Sequence, residues 1–331
     1  MCGMVLLQVE KPDSVVLGGD IHDTNAVYGK LVFEEALTAH HSLSRVSTPT
    51  FEYVLASFFL YACHAALFHH SQAFLYLREA TTLFLLLKID DNNATSKLLA
   101  DRLFWVLLVS ERSHAIRYRR PTTLHITSTS PVYDDDQTLV GLWSLVQLFR
   151  PLDTTFIALL NQEETVFRPT AASLEAVEEA VNSAIRDSFN LHDTQKANLR
   201  ITQIWLRVII WQVRLRLGFL SEGFVADSLT FHYPLAVANE LTISVKDMPM
   251  DSIKIHGVGL TEKLFDVACA VVDVLARVPL GGSYQQNSAA TSEDNLRHLY
   301  HLISQLPGGS DVYISLLDKH IEQTLPQFTL G

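Results

Sequence analysis

Apolar residues recur at intervals of three and four along almost the whole chain, a spacing that gathers them on one face of an α-helix. The pattern predicts helices at about 51–68, 70–88, 95–119, 137–150, 153–163, 171–190, 194–220, 251–278, 292–305 and 310–324. The punctuation agrees: Pro121 closes one helix, Pro151 separates two, and Asp153 and Ser173 stand where N-caps are needed. Strand-like alternation occurs only at Leu241–Asp247, and it is short. The expected class is all-α, a single large domain of stacked antiparallel helices. Two stretches rich in Ser, Thr, Gly or Asn, at about 125–136 and 280–294, read as flexible loops. No fixed internal period marks a regular solenoid.

Composition narrows the function classes. With 331 residues and 48% hydrophobic content the chain can bury a sizeable core. Lys plus Arg (25) against Asp plus Glu (36) gives 25 − 36 = −11, which opposes broad binding to a phosphate backbone. The run Val5-Leu6-Leu7 is too short for a signal peptide, and Val54–Phe68, interrupted by His64, falls short of the roughly 20 residues of a bilayer span. Cys2, Cys63 and Cys269 lie far apart and form no CxxC or other metal spacing. A soluble intracellular protein of a reducing compartment, with no membrane partner, is expected.

Catalytic motifs do not emerge. Asp134, Asp135 and Asp136 raise the idea of a magnesium cluster, but no second acidic cluster has matching spacing, and acids just ahead of a helix suit its positive end. Among fourteen histidines, His64 with His69 and His70, and His298 with His301, invite a metal reading. No HExxH motif accompanies them and no third ligand is placed, so they read as interface histidines and no metal or other cofactor is assigned. "HGVGL" at 256–260 lacks the flanking strand of a nucleotide loop, and no GxSxG elbow occurs. The chain is not expected to be an enzyme.

The stretch "RLFWVLLVSERSHAIRYRRP", Arg102 to Pro121, is apolar on every side from Leu103 to Val109 and then meets Glu111 and Arg112. Charges at the end of a buried segment are costly unless paired. Within the helix Glu111 finds only His114, and Arg112 finds only apolar neighbours. The partners are expected on the preceding helix: Arg78 with Glu111, or Glu79 with Arg112. Arg117, Arg119 and Arg120 follow at the helix C-terminus, where the dipole favours positive charge. Trp205, Arg207, Trp211 and Gln212 share one helix and have the aromatic and polar mixture of a ligand pocket, though core packing explains such residues as well.

"RLFWVLLVSERSHAIRYRRPTTL" resembles the signature helix of the fungal-specific transcription factor domain, the middle homology region of zinc-cluster (Zn2Cys6) regulators. The matching positions are Arg102, Phe104, Trp105, Glu111, Arg112, Arg120 and Pro121. "TPTFEYVLASFFLYACHAAL" and "AFLYLREATTLFLLLKI" resemble the helices before it; "LVQLFRPLDTTFIALLN", "TQKANLRITQIWLRVIIWQ" and "LTFHYPLAVANEL" follow in family order. The resemblance covers about 28–325, between a variable segment at 1–27 and a tail at 326–331. It is nearest to the maltose- and starch-utilisation activators and biosynthetic-cluster regulators. It implies a nuclear regulatory domain that senses a small-molecule inducer or partner protein, works with other transcription-regulatory proteins, and pairs as a homodimer. The six zinc-binding cysteines of the family are not among the three present, so zinc and DNA contact are expected only through a module outside this chain. A helical protein-interaction scaffold is the competing expectation, and a magnesium-dependent helical enzyme resting on the acidic triplet comes third.

Overall fold

The computed structural model describes residues 1–8, 25–42, 49–89, 93–132, 136–163, 169–185, 191–221, 227–278 and 286–328. These residues form fourteen α-helices and no strand. The helices gather into two compact units, Met1–Thr165 and Val166–Gly331.

The first unit contains α1 (Cys2–Gln8), α2 (Asn25–Ser42), α3 (Phe51–Ala66), α4 (His70–Leu86), α5 (Ala94–Tyr118), α6 (Val140–Phe149) and α7 (Thr154–Leu160). α1 lies close against α2 because Gly29 has no side chain: a Cβ there would stand 3.0 Å from Leu7. Phe33, Leu60, Cys63 and Tyr76 form a buried cluster over which Met4, Leu7 and Leu37 close. α3, α4 and α5 form an antiparallel run. The Ser57 hydroxyl donates to Glu79 across α3 and α4, and the His64 ring stacks on Tyr76 at 5.2 Å. Between α4 and α5 the rungs are His70 with Tyr118, Phe74 with His114, Arg78 with Glu111, and Phe84 with Phe104.

α6 departs from antiparallel stacking. Residues 102, 112 and 119 of α5 and its cap bond to residues 136, 149–150 and 160 in turn, so α6 and α7 run in the same sense as α5. Such a neighbour needs a long return, and the described part of 119–136 makes it without helix. The described residues of the loop expected at about 125–136, 125–132 and 136, lie in this return, with Thr127 and Ser130 tied in a turn; 133–135 lie outside the described residues.

The second unit contains α8 (Ala171–Ser183), α9 (Asp193–Leu217), α10 (Tyr233–Val245), α11 (Met250–Lys254), α12 (Val258–Arg277), α13 (Gln286–Ser304) and α14 (Ile314–Thr324). α9 is buried on nearly every side, with Ile201, Ile204, Trp205, Leu206, Val208 and Ile210 fully enclosed. α8 and α10 run antiparallel to it. α12 runs parallel: Thr194, Thr202 and Trp205 bond to His256, Lys263 and Asp266 in the same order.

Several expectations need correction. Leu241–Val245, read as strand-like, is the last part of α10, because the helix started by Pro234 at its first turn is buried through Leu235, Val237, Ala238, Leu241 and Val245. The helix expected at 251–278 breaks at Gly257, whose φ of 65° ends α11 and starts α12. α13 begins at Gln286, inside the stretch expected to be a loop; 280–285 lie outside the described residues. Thr170 rather than Ser173 caps α8, with Ser173 as the returning member of the capping box. Asp153 caps α7 as expected, accepting from the Phe156 amide.

His64 and His114 are both held neutral within aromatic packing. Burial, then the nearby His69, pushes His64 down to about 4; burial, then His70 and Arg120, does the same to His114. Each ring therefore takes up a proton on unfolding between its ordinary value of 6.5 and about 4, and stability falls as pH falls through that window. Each contributes a slope approaching about 1.4 kcal/mol per pH unit. Urea unfolding at pH 7 and pH 5 should show a lower midpoint at pH 5, and His114→Phe, which preserves the stack on Phe74, should flatten the dependence.

Candidate functional site

Two groups of polar side chains sit inside the apolar packing, one in each unit. In the first, Glu111 and Arg112 are each 2% exposed and adjacent, yet they point to different partners. Glu111 accepts from the Thr123 amide at 2.8 Å, the Thr123 hydroxyl at 2.7 Å, the Leu124 amide at 2.8 Å and Arg78 Nη1 at 3.2 Å. Arg78 also contacts the Thr123 hydroxyl. One carboxylate thus fixes the chain just after α5 and locks α4 to α5. Of the two pairings expected, Arg78 with Glu111 is the one formed.

Arg112 instead donates to the carbonyls of Phe149 and Arg150, at 2.8 and 3.1 Å. These carbonyls lie at the end of α6, where a cation also meets the negative end of the helix dipole. Burial pulls the Arg112 pKa down to about 10, while Asp153 and Glu111 hold it up, so it is charged at neutral pH. Glu79 does not meet Arg112; it accepts from His40 Nε2 at 2.9 Å and from Ser57.

The other members of the stretch serve the same frame. Arg102 donates to Asp136 at 2.9 Å, and Asp136 caps the 3-10 turn Gln137–Leu139 that leads into α6. The Thr138 side chain and amide, together with Arg102, lower the Asp136 pKa. Asp134 and Asp135 lie outside the described residues. Arg119 takes the left-handed conformation, φ 54°, that glycine favours at a helix end, and its side chain donates to the Leu160 carbonyl at the end of α7. Phe104 and Trp105 are buried, and Arg120, ahead of exposed Pro121, lies 5.3 Å over the Phe74 ring.

In the second unit, the residues proposed to share a pocket separate. Trp205, 0% exposed, donates to Asp266 on α12 at 2.9 Å, whereas Trp211 donates to the Thr230 carbonyl at 3.0 Å ahead of α10. Gln212 is half-buried. Only Arg207 enters a polar network. It donates to the Tyr233 hydroxyl at 2.9 Å and to Glu240 at 2.6 Å; Tyr233 donates to Glu178 at 2.7 Å, and Glu178 pairs with Arg214 at 2.5 Å. Arg214 is 1% exposed and Glu178 5%. Burial, chiefly, raises the Tyr233 pKa. Burial opposes the Arg207 charge, but Tyr233 and Glu240 outweigh it and raise its pKa.

Sequence reasoning missed Glu178, Arg214, Tyr233 and Glu240. A signal was present: Arg200, Arg207 and Arg214 repeat every seven residues along α9, which places them on one stripe, and Arg207 and Arg214 meet partners on neighbouring helices. Within each group the charged side chains bind carbonyls, amides or each other. They form positioned charge networks with their main donors already engaged. Among the described residues, no three His, Cys, Asp or Glu side chains come together to hold a metal ion. No described helix is long and apolar enough to cross a membrane.

With this geometry in place, similarity to known proteins points one way. The chain is 26% identical over 284 residues to a probable sucrose utilization protein of Candida albicans, covering 82% of this chain and 54% of that protein. It is 21% identical over 198 residues to a respiratory transcription factor of Saccharomyces cerevisiae, covering 57% of this chain and 40% of that one. It is also 21% identical over 190 residues to a maltose fermentation regulatory protein of the same yeast, covering 56% and 38%. The chain therefore spans about half the length or less of these relatives. No family model matches it, and no solved structure matches it.

Two substitutions test the networks. Glu111→Ala leaves two amides without acceptors and Arg78 without its carboxylate, and should cost about 3 kcal/mol in denaturant unfolding. Tyr233→Phe removes a hydroxyl that both accepts from Arg207 and donates to Glu178, and should cost about 1–3 kcal/mol. A change below about 0.5 kcal/mol in either would show that the network is not stabilising at that point.

Proposed function

We propose that this chain is the regulatory region of a fungal transcription factor that controls RNA polymerase II transcription of carbohydrate-utilisation or biosynthetic-cluster genes. The observation that carries the reading is the continuous similarity to sugar-utilisation and transcription-regulatory proteins, which reaches 82% of the chain. The all-α architecture is consistent with it, and the reading takes 28–325 as the fungal-specific transcription factor domain. In this reading the region works in the nucleus, receives a small-molecule inducer or a partner protein, and pairs with other transcription-regulatory proteins or a second copy. DNA contact belongs to a zinc-cluster module outside this chain. That division is supported by the net charge of −11 and by the turning of Arg102, Arg112 and Arg119 onto internal partners.

Fusion of the chain to an unrelated DNA-binding domain, with a reporter read in yeast grown on glucose, maltose or sucrose, tests the reading directly. A several-fold, sugar-dependent change in the reporter is expected, with fluorescently tagged chain concentrated in the nucleus. A reporter that stays flat across sugars while the fusion is present at constant level overturns it, and leaves a helical interaction scaffold as the better description.

A further inference from the structure

The turn between α3 and α4 brings two imidazoles together in a way that neither the fold nor the proposed regulatory role requires. His64 Nδ1 and His69 Nδ1 stand 3.3 Å apart. That separation is within reach of a hydrogen bond between the two rings. It matches the edge of a coordination tetrahedron: two ligand nitrogens at about 2.0–2.1 Å from one zinc ion are about 3.3–3.4 Å apart. We propose that His64 and His69 form a two-histidine site for a tetrahedral divalent ion of the zinc class, with water in the two remaining positions.

The pair is preorganised. His64 is 5% exposed, and its ring is clamped by Tyr76, stacked at 5.2 Å and 12°, and by the edge of Phe33 at 4.8 Å. His69 is fixed from the backbone: its amide donates to the His64 carbonyl at 2.9 Å, and Phe68 before it takes a left-handed φ of 59°. A bulky residue in that conformation is uncommon and uncompensated strain of this kind costs on the order of 1–3 kcal/mol. The turn that carries this strain is the one that delivers the His69 ring to His64.

Access and polarity fit an open site. His69 is exposed, so an ion can enter from solvent and keep water ligands, as ions in open rather than closed zinc sites do. His64 is neutral near pH 7 and offers a lone pair without first losing a proton. Its Nε2 is buried without a hydrogen-bond partner, which leaves Nδ1 as the ring nitrogen aimed at a polar neighbour. Ligation through Nδ1 leaves the Nε2–H without the acceptor that strong zinc sites supply, which places this one at the weak, exchangeable end of the range. His70 turns away to stack near Tyr118 at 4.6 Å, and His41 bonds the Tyr76 hydroxyl at 2.9 Å, so neither completes the ligand set.

Calorimetric titration of the full chain with Zn2+ should show one saturable equivalent, and Mg2+ should show none. His69 makes no side-chain capping bond, so His69→Ala should fold normally by circular dichroism. This variant should bind Zn2+ at least tenfold more weakly, while His301→Ala, on α13, binds as the parent does. Should His69→Ala lose its fold, His69→Gln carries the same comparison. Co2+ should give the intense visible absorption of tetrahedral coordination in the parent and not in the His69 variant. Equal isotherms for parent and His69 variant, or no saturable binding by the parent, would overturn the proposal. The measurement is independent of transcriptional activity, so it fails or succeeds separately from the regulatory reading.

Discussion

Two adjacent charges, Glu111 and Arg112, are sunk to 2% exposure near the middle of the first unit and are satisfied in opposite ways. The carboxylate collects N–H and O–H donors from the chain that leaves α5; the guanidinium collects carbonyls from the chain that ends α6. An uncompensated charge at that depth costs several kcal/mol, so neither segment can drift without exposing the cost. Neighbouring residues on a helix point about 100° apart, which is why one pair of side chains can tie down two different segments. The Arg78 rung from α4 adds the third tie.

Those ties explain the direction of α6. Arg102, Arg112 and Arg119 meet Asp136, the α6 terminus and the α7 terminus in rising order, like marks on a ruler. From 102 to 119 a helix climbs about 25 Å. The return through 119–136 has ample reach at about 3.3 Å per residue, and its described residues contain no helix. A helical return would cover less than half that distance per residue. The second unit solves the same problem differently: α10 runs back along α9 as a helix, so α12 can lie parallel to α9. One long parallel pair is closed by a segment whose described residues hold no helix, the other by a helix.

This difference also marks where the sequence was legible. Long helices with a continuous apolar face, such as α4, α5 and α9, declare themselves through periodicity, and Asp153 and Pro121 through their backbone chemistry. That Glu111 has a partner on the preceding helix followed from burial, since a charge beside Leu107 and Leu108 needs one; Arg78 with Glu111 was one of two pairings expected. The pairing of Arg112 with main-chain carbonyls did not follow, because every residue has a carbonyl and none is distinguished in sequence. α10 was obscured by β-branched Thr242, Ile243 and Val245, whose strand preference is overridden by the burial of Leu241 and Val245 in helical register. Trp205 and Trp211 suggested one pocket because they share a helix; six residues of helical rotation send them to different neighbours.

The placement of the arginines bears on how such a chain handles nucleic acid. Phosphate binding needs cations that are free to displace counterions, and each contributing side chain adds to the salt dependence of the complex. On α5 and its cap, Arg102 is directed at a carboxylate, Arg112 at two carbonyls and Arg119 at a third. On α9, Arg207 and Arg214 are directed at Glu240 and Glu178. Turning Arg112, Arg119 or Arg214 to a phosphate would strip a helix terminus or a buried carboxylate of its partner, so the gain in solution would be offset by a loss in the fold. In the stretch that looks most basic in sequence, Arg102, Arg112 and Arg119 therefore act as struts of the helical frame.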